Sequence, residues 1–205
     1  LLRSEFLFFG RESAPSEDEQ AEAYTAIAGV LGPERRFVLR TLDVGGDKPL
    51  PYLPMPKEQN PFLGLRGIRV SLAYPDLFRT QLRAVLRTAP AGNLHLMFPM
   101  ISSLDEFEEA RKAVEEAIAD LAREQLDHHD RPAIGTMIEM PSVLAIIDEL
   151  ATAADFFAIG TNDFIQYMLA VDRSNENVAG YYQPFHPSIL RALARIVETA
   201  NRHAK

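Results

Sequence analysis

Two short apolar runs in this chain stop on oxygen donors. Ile134-Gly135-Thr136-Met137-Ile138-Glu139-Met140-Pro141 ends at Glu139, and the segment Phe156 to Arg173 places Asn162 and Asp163 just past its own apolar start. A brief apolar run bounded by turn residues suits a strand buried on both faces. Two carboxylates at the ends of successive buried strands, joined by a strand–helix–strand unit, make a site for a hard cation. Mg²⁺ is commonly held this way, with water and substrate phosphate completing its shell.

Three arginines belong to the same picture. Arg3 follows two leucines, Arg40 ends Phe37-Val38-Leu39, and Arg173 ends Leu169-Ala170-Val171-Asp172. A guanidinium at the end of a buried strand is costly unless it meets an anion. Each has a local alternative: Arg3 with Glu5, Arg40 with Asp43, Arg173 with Asp172. Three converging beside two carboxylates favour an anion clamp, because guanidinium forks match phosphate and carboxylate bidentately. A small phosphorylated acid with Mg²⁺ is the ligand this chemistry suits. Arg66 and Arg69 follow the bend Asn60-Pro61-Phe62-Leu63-Gly64 and face either the same rim or solvent. Gly45-Gly46-Asp47-Lys48-Pro49 is a loop that could form a backbone anion nest, with Lys48 as a point charge. The histidines show no metal-binding or nucleophile-activating spacing. His186 reads as a turn residue at a helix start, and His95 as a packing residue on a strand.

The elements that must position these groups alternate along the chain. Strands are expected over Leu1–Phe9, Arg36–Asp43, Asn93–Ile101, Ile134–Met140 and Asp155–Gly160. Helices are expected from Ser16, where Ser16 and Glu19 form a capping box and Tyr24, Ile27 and Leu31 share a face. Others run over Asp76–Arg87, after Ser103, from Pro141 to Leu150, and from Pro187 onward. Val44–Pro61 is too rich in Gly and Pro for a regular element. Alternation implies a parallel sheet with right-handed crossovers. Arg3, Arg40, Glu139, Asn162 and Asp163 then gather at the carboxyl ends of the strands. Both a (β/α)₈ barrel and a doubly wound sheet build their sites there.

Composition narrows the class. The chain has 205 residues, 47% of them hydrophobic, enough for one substantial core. A formal charge of −8 argues against nucleic acid or an anionic membrane as partner. There is no cysteine, so no thiolate chemistry within these residues. No apolar run suits a membrane span and no signal peptide opens the chain, so a cytoplasmic enzyme is expected. Leu1 is not a start methionine, and the chain reads as a piece of a longer protein.

Taken together, LLRSEFLF, RTLDVGGDKPLP, NPFLGLRGIR, MFPMI, GTMIEMP, GTNDFIQY and LAVDRSNE strongly resemble the phosphoenolpyruvate (PEP)-binding domain of the enzyme I family, the PEP–protein phosphotransferases of the bacterial sugar phosphotransferase system. The resemblance runs almost from end to end. Pyruvate phosphate dikinase and PEP synthase share the NP-LG-R, IE-P and GTND-Q elements, whereas RTLDVGGDKPLP favours enzyme I. A dikinase- or synthase-type domain and a nitrogen-branch paralogue that senses PEP stand as alternatives.

The resemblance implies a (β/α)₈ barrel of the PEP/pyruvate type, incomplete at about five of its eight βα units, forming one domain over residues 1–205 and dimerising. Glu139 and Asp163 match Mg²⁺ ligands. Arg3 and Arg40 match arginines that bind the phosphoryl group, and Arg173 one that spans phosphate and carboxylate. Backbone around Asn162 and Asp163 would help hold the substrate, Arg66 matches a further site arginine, and Lys48 a lysine near the site. The implied reaction passes the phosphoryl group to a histidine on a separate N-terminal domain and on to the carrier HPr, releasing pyruvate. Neither that histidine nor the family's enolate-protonating cysteine, expected beyond Lys205, lies within these residues. Departures from the pattern are mild: Ser4 for threonine, Phe164-Ile165 for Leu-Thr, and Ser174 for glycine.

Overall fold

The computed structural model describes residues 1–32, 34–45, 50–88 and 94–205. Five strands form one parallel sheet: β1 (Leu2–Arg3), β2 (Phe37–Arg40), β3 (Leu94–Phe98), β4 (Ala133–Ile138) and β5 (Phe156–Ile159). Their spatial order is their chain order, β1-β2-β3-β4-β5. A doubly wound sheet reverses direction at a switch point. Unbroken winding in one sense is the arrangement of a (β/α) barrel, here present as five consecutive strands.

Among the described residues, seven α-helices connect or flank them: α1 (Glu17–Leu31), α2 (Ile68–Ala73), α3 (Pro75–Leu86), α4 (Leu104–Arg123), α5 (Ile147–Ala153), α6 (Thr161–Met168) and α7 (Pro187–Arg202). The capping box at Ser16 forms, with the Glu19 N–H donating to Ser16 Oγ at 3.2 Å and the Ser16 N–H to Glu19 Oε2 at 2.7 Å. Tyr24 points into the core as expected, but Ile27 is exposed. α2 was not legible, because Gly67 and Tyr74-Pro75 bracket a helix of only six residues.

Three expected elements are shorter than their apolar runs. β1 stops after Arg3, and the chain tightens into a 3₁₀ turn over Ser4–Leu7 that buries Glu5. The Pro141 segment is a 3₁₀ turn to Ala145 before α5 begins. Leu169–Asp172 is no strand: α6 ends at Met168, and Ala170 adopts a left-handed φ of 51° to turn the chain. β5 is half-buried rather than covered on both faces, with Ile159 at its end exposed.

Paired residues of a parallel sheet project to the same side. Phe37, Leu39, Leu94, Leu96, Phe98 and Ile138 face the helices, where they pack with Tyr24, Leu82, Phe107, Val114 and Ile147. The opposite face carries Arg40, Met97, Gly135, Met137 and Phe156. Gly135 is needed there. A Cβ at that position would lie 2.5 Å from the Phe156 carbonyl oxygen and 2.6 Å from its ring. Gly29, by contrast, sits exposed within α1 with open space around it. Gly135→Ala is therefore expected to destabilise the fold by about 2 kcal/mol or more. Gly29→Ala should stabilise it by about 0.5–1 kcal/mol. Urea midpoints check both, and equal shifts would refute the packing assigned to Gly135.

Candidate functional site at the carboxyl ends of the strands

Glu139 follows β4 directly, and Asp163 lies in the first turn of α6, four residues beyond the end of β5. Each carboxylate is held differently. Glu139 is 1% exposed, and its Oε1 accepts the Met100 N–H at 2.7 Å. Met100 makes that bond from a left-handed φ of 60°, a strained conformation for a residue with a side chain. Its own side chain fills the space beside Gly67, where a Cβ would come within 2.7 Å of it. The second oxygen, Oε2, stands over Gly160, and a Cβ there would approach it to 2.6 Å. Asp163, in contrast, has both oxygens bound by Arg66 at 2.8 and 3.2 Å.

The arginines sort into three kinds. Arg40 is 8% exposed; its Nη2 donates to Glu5 Oε1 at 2.6 Å and lies 3.2 Å from Asp43 Oδ2, while Nη1 lies 3.7 Å from Met137 Sδ. Its Nε is buried with no acceptor. Arg66 is enclosed between Asp43 and Asp163. Arg173 is partly exposed, with Nη2 3.6 Å from Asp163 and Nη1 buried without an acceptor. Arg3 is the exception. It pairs in register with Arg40, but its side chain is exposed and lies over the Phe6 ring at 5.0 Å. The local alternatives thus divide: Arg40 does pair with Asp43, Glu5 serves Arg40 rather than Arg3, and Asp172 accepts from Ser174 rather than Arg173.

Local structure explains how Arg66 arrives. Gly45 and Arg66 form an isolated antiparallel bridge, and the Gly67 N–H donates to the Val44 carbonyl at 3.0 Å. Gly45 has φ 103°, and a Cβ there would fall 2.1 Å from the Leu65 oxygen. The Tyr167 hydroxyl donates to the Phe62 carbonyl, tying the Asn60–Gly64 bend to α6. Arg69 braces that bend through the Leu63 and Gly64 carbonyls and does not reach the carboxylates. Asn162 is exposed, with its carbonyl accepting from the Tyr182 hydroxyl at 3.4 Å. Lys48, with the rest of the expected nest over 46–49, lies outside the described residues. His186 caps α7 and His95 packs edge-on to Phe156.

Glu5, Asp43 and the Met100 N–H are the groups that sequence reasoning missed as parts of the site. Asp43 was visible as a partner of Arg40, but its second bond, to Arg66, joins residues 23 apart. The Glu5–Arg40 bond joins residues 35 apart, and no local pattern signals it.

Charge decides what this arrangement can hold. Four carboxylates (Glu5, Asp43, Glu139, Asp163) face three guanidiniums (Arg40, Arg66, Arg173). Burial works against the Arg40 and Arg66 charges, but Asp43 and the neighbouring acids outweigh it and hold both pKa values above the ordinary one. Glu139 goes the other way: burial first, then Asp43 and Asp163, push it up to about 8, against the pull of the Met100 N–H and Arg40. A hard cation would relieve that pressure. Among the described residues no group of three His, Cys, Asp or Glu side chains could hold a metal. Glu139 and Asp163 could together offer two carboxylates to a hard cation such as Mg²⁺, with water and an anionic ligand supplying the remaining oxygens. Glu139 Oε2 meets that need as it stands, and Asp163 meets it once Arg66 moves.

Comparison with known proteins agrees with the sequence resemblance. The family model for the PEP-binding domain of PEP-utilising enzymes matches residues 1–205. Curated relatives named phosphoenolpyruvate-protein phosphotransferase are 48% identical in Staphylococcus epidermidis, 49% in Geobacillus stearothermophilus and 48% in Bacillus subtilis. Each match spans the whole of this chain but only 35–36% of the relative's length. Among solved structures, a citrate lyase from Burkholderia xenovorans superposes with a TM-score of 0.51 at 16% identity, over all of this chain and 66% of the other. An HpcH/HpaI aldolase/citrate lyase family protein from Burkholderia cenocepacia gives 0.52 at 16%, over 93% and 64%. At such identities these two speak for the fold alone.

The raised Glu139 pKa has a measurable sign. Between the ordinary carboxylate value and about 8, the folded chain keeps this proton and the unfolded chain has lost it, so stability falls as pH rises through that interval. Glu139→Gln keeps an oxygen for the Met100 N–H and removes the ionisation. Without metal, its melting temperature is expected to exceed the parent's at about pH 8 and to converge with it towards about pH 5. Parallel pH profiles for the two proteins would refute the assignment.

Proposed function

The chain belongs to the PEP-binding domain family of PEP-utilising enzymes, and on that premise we propose that its rim binds PEP with Mg²⁺ and takes part in transferring the phosphoryl group to a histidine of the same phosphotransferase. The group then passes to HPr and pyruvate is released. The observation that carries this reading is the pair of buried guanidinium nitrogens, Arg40 Nε and Arg173 Nη1, that lack acceptors among the described residues beside two buried carboxylates. Buried donors without partners are rare, and an anion with phosphate and carboxylate ends supplies both. The names of the relatives favour the phosphotransferase over the dikinase and synthase alternatives.

Phosphoryl transfer proceeds through a loose transition state, so positioning and charge neutralisation supply most of the catalysis. Arg40, fixed by Glu5 and Asp43, presents Nε to the phosphoryl oxygens. Arg173 reaches the same space from the turn after α6 and spans towards the carboxylate. Glu139 and Asp163 would hold the Mg²⁺, which supplies neutralisation of the phosphoryl and developing enolate charge. No helix among the described residues is long and apolar enough to cross a membrane.

Calorimetric titration of the full-length protein with PEP tests this. Binding is expected only with Mg²⁺ present. Arg40→Met should weaken it about 10²-fold, as expected for losing a buried charge-assisted pair, and Glu139→Ala should lose the Mg²⁺-dependent binding. PEP binding that is indifferent to Mg²⁺ and to both substitutions would place the site elsewhere.

A further inference from the structure

Arg66 differs from Arg40 and Arg173 in having no free donor edge. It is 3% exposed, and its guanidinium lies between two carboxylates. Nε and Nη2 donate to Asp43 at 3.2 and 3.4 Å; Nη1 and Nη2 donate to Asp163 at 2.8 and 3.2 Å. Nη1 also lies 3.4 Å from the Tyr167 hydroxyl, and the Phe62 ring sits 5.7 Å from Cζ. Both oxygens of Asp163 are thereby taken by a cation that belongs to the protein. Glu139 Oε2 has no such competitor.

We propose that Arg66 is a coupling residue that makes the cation and the phosphorylated ligand bind together. The inference rests on the reading of the rim as a site for PEP and Mg²⁺. While Arg66 clasps Asp163, that carboxylate is closed to a metal. A phosphate arriving at the rim offers the Nη edge of Arg66 a substitute anion and releases Asp163. Asp43 holds the guanidinium through Nε throughout, so the exchange needs a shift of the outer edge and not a new rotamer for the whole side chain. The metal and the phosphate thus each remove the obstacle to the other. Linkage then requires the effect to be reciprocal: the factor by which PEP tightens the cation equals the factor by which the cation tightens PEP.

The arrangement makes an unusual demand on a substrate-binding residue, namely that deleting it should improve metal binding. Mn²⁺ serves as the probe, its free concentration counted from its electron paramagnetic resonance signal in the full-length protein. Saturating PEP is expected to tighten Mn²⁺ binding to the parent by about tenfold or more, a coupling within the usual range. Without PEP, Arg66→Met should bind Mn²⁺ about tenfold more tightly than the parent, since a competing unit charge has left Asp163. Arg40→Met removes the same charge from the cluster without touching Asp163 and should tighten Mn²⁺ far less.

Arg66→Lys covers the case in which Arg66→Met does not fold, as judged by circular dichroism. Its single ammonium cannot span both Asp163 oxygens and Asp43, so it should bind Mn²⁺ more tightly than the parent does. Should Arg66→Met, or Arg66→Lys in its place, bind Mn²⁺ no better than Arg40→Met, the coupling role is overturned while the site stands. A parent that binds Mn²⁺ neither alone nor with PEP overturns the reading of the site itself, and the coupling with it.

Discussion

A row of alternating charges runs through the rim: Glu5, Arg40, Asp43, Arg66, Asp163 and Arg173, each within 3.6 Å of the next. Five of the six are less than 9% exposed, where an unpaired charge would be prohibitively costly. Each ion is therefore conditional on its neighbours. The row ties the turn after β1 to the end of β2, the loop before α2 and the start of α6. Its two ends differ in kind. Glu5 anchors Arg40 and the Asp43 N–H through one oxygen, whereas Arg173 is half open to solvent.

The fold contributes placement and little chemistry. Single-sense winding brings consecutive strand ends side by side, so a residue just past one strand meets a residue just past the next. Glycines set the closest approaches. Gly160 admits the Glu139 carboxylate, and Gly67 admits Met100, whose strained backbone aims an N–H at that same carboxylate. The local strain and the raised Glu139 pKa converge on one point, as expected where a protein holds an arrangement for function and not for stability.

Much of this was legible in the residues. The apolar runs of β3 and β4, the capping box of α1 and the Ser103 cap of α4 follow from local rules, and the positions of Glu139 and Asp163 follow from where the runs stop. Other features depended on distance in sequence. That Glu5 serves Arg40, and that Arg66 rather than Arg69 turns inward, is decided by the Gly45–Arg66 bridge and by contacts spanning 35 to 97 residues. Strand lengths were overread for a related reason. Leu169–Asp172 has strand-like composition, but the Gln166 carbonyl accepting the Val171 N–H and the Gln166 side chain accepting the Arg173 N–H wind it into a turn.

Chain-order winding has a consequence for synthesis. Each strand of the sheet pairs only with its neighbours in sequence, so each step of sheet growth needs only the strand made just before it. A chain emerging from the ribosome can add strands one at a time as domains grow from the N-terminus. The charge row cannot grow that way. Arg40, Asp43 and Arg66 emerge long before Asp163, and until α6 appears Arg66 has one of its two counterions. The rim reaches its final electrostatic state only when Arg173 has been made, more than four-fifths of the way along these residues.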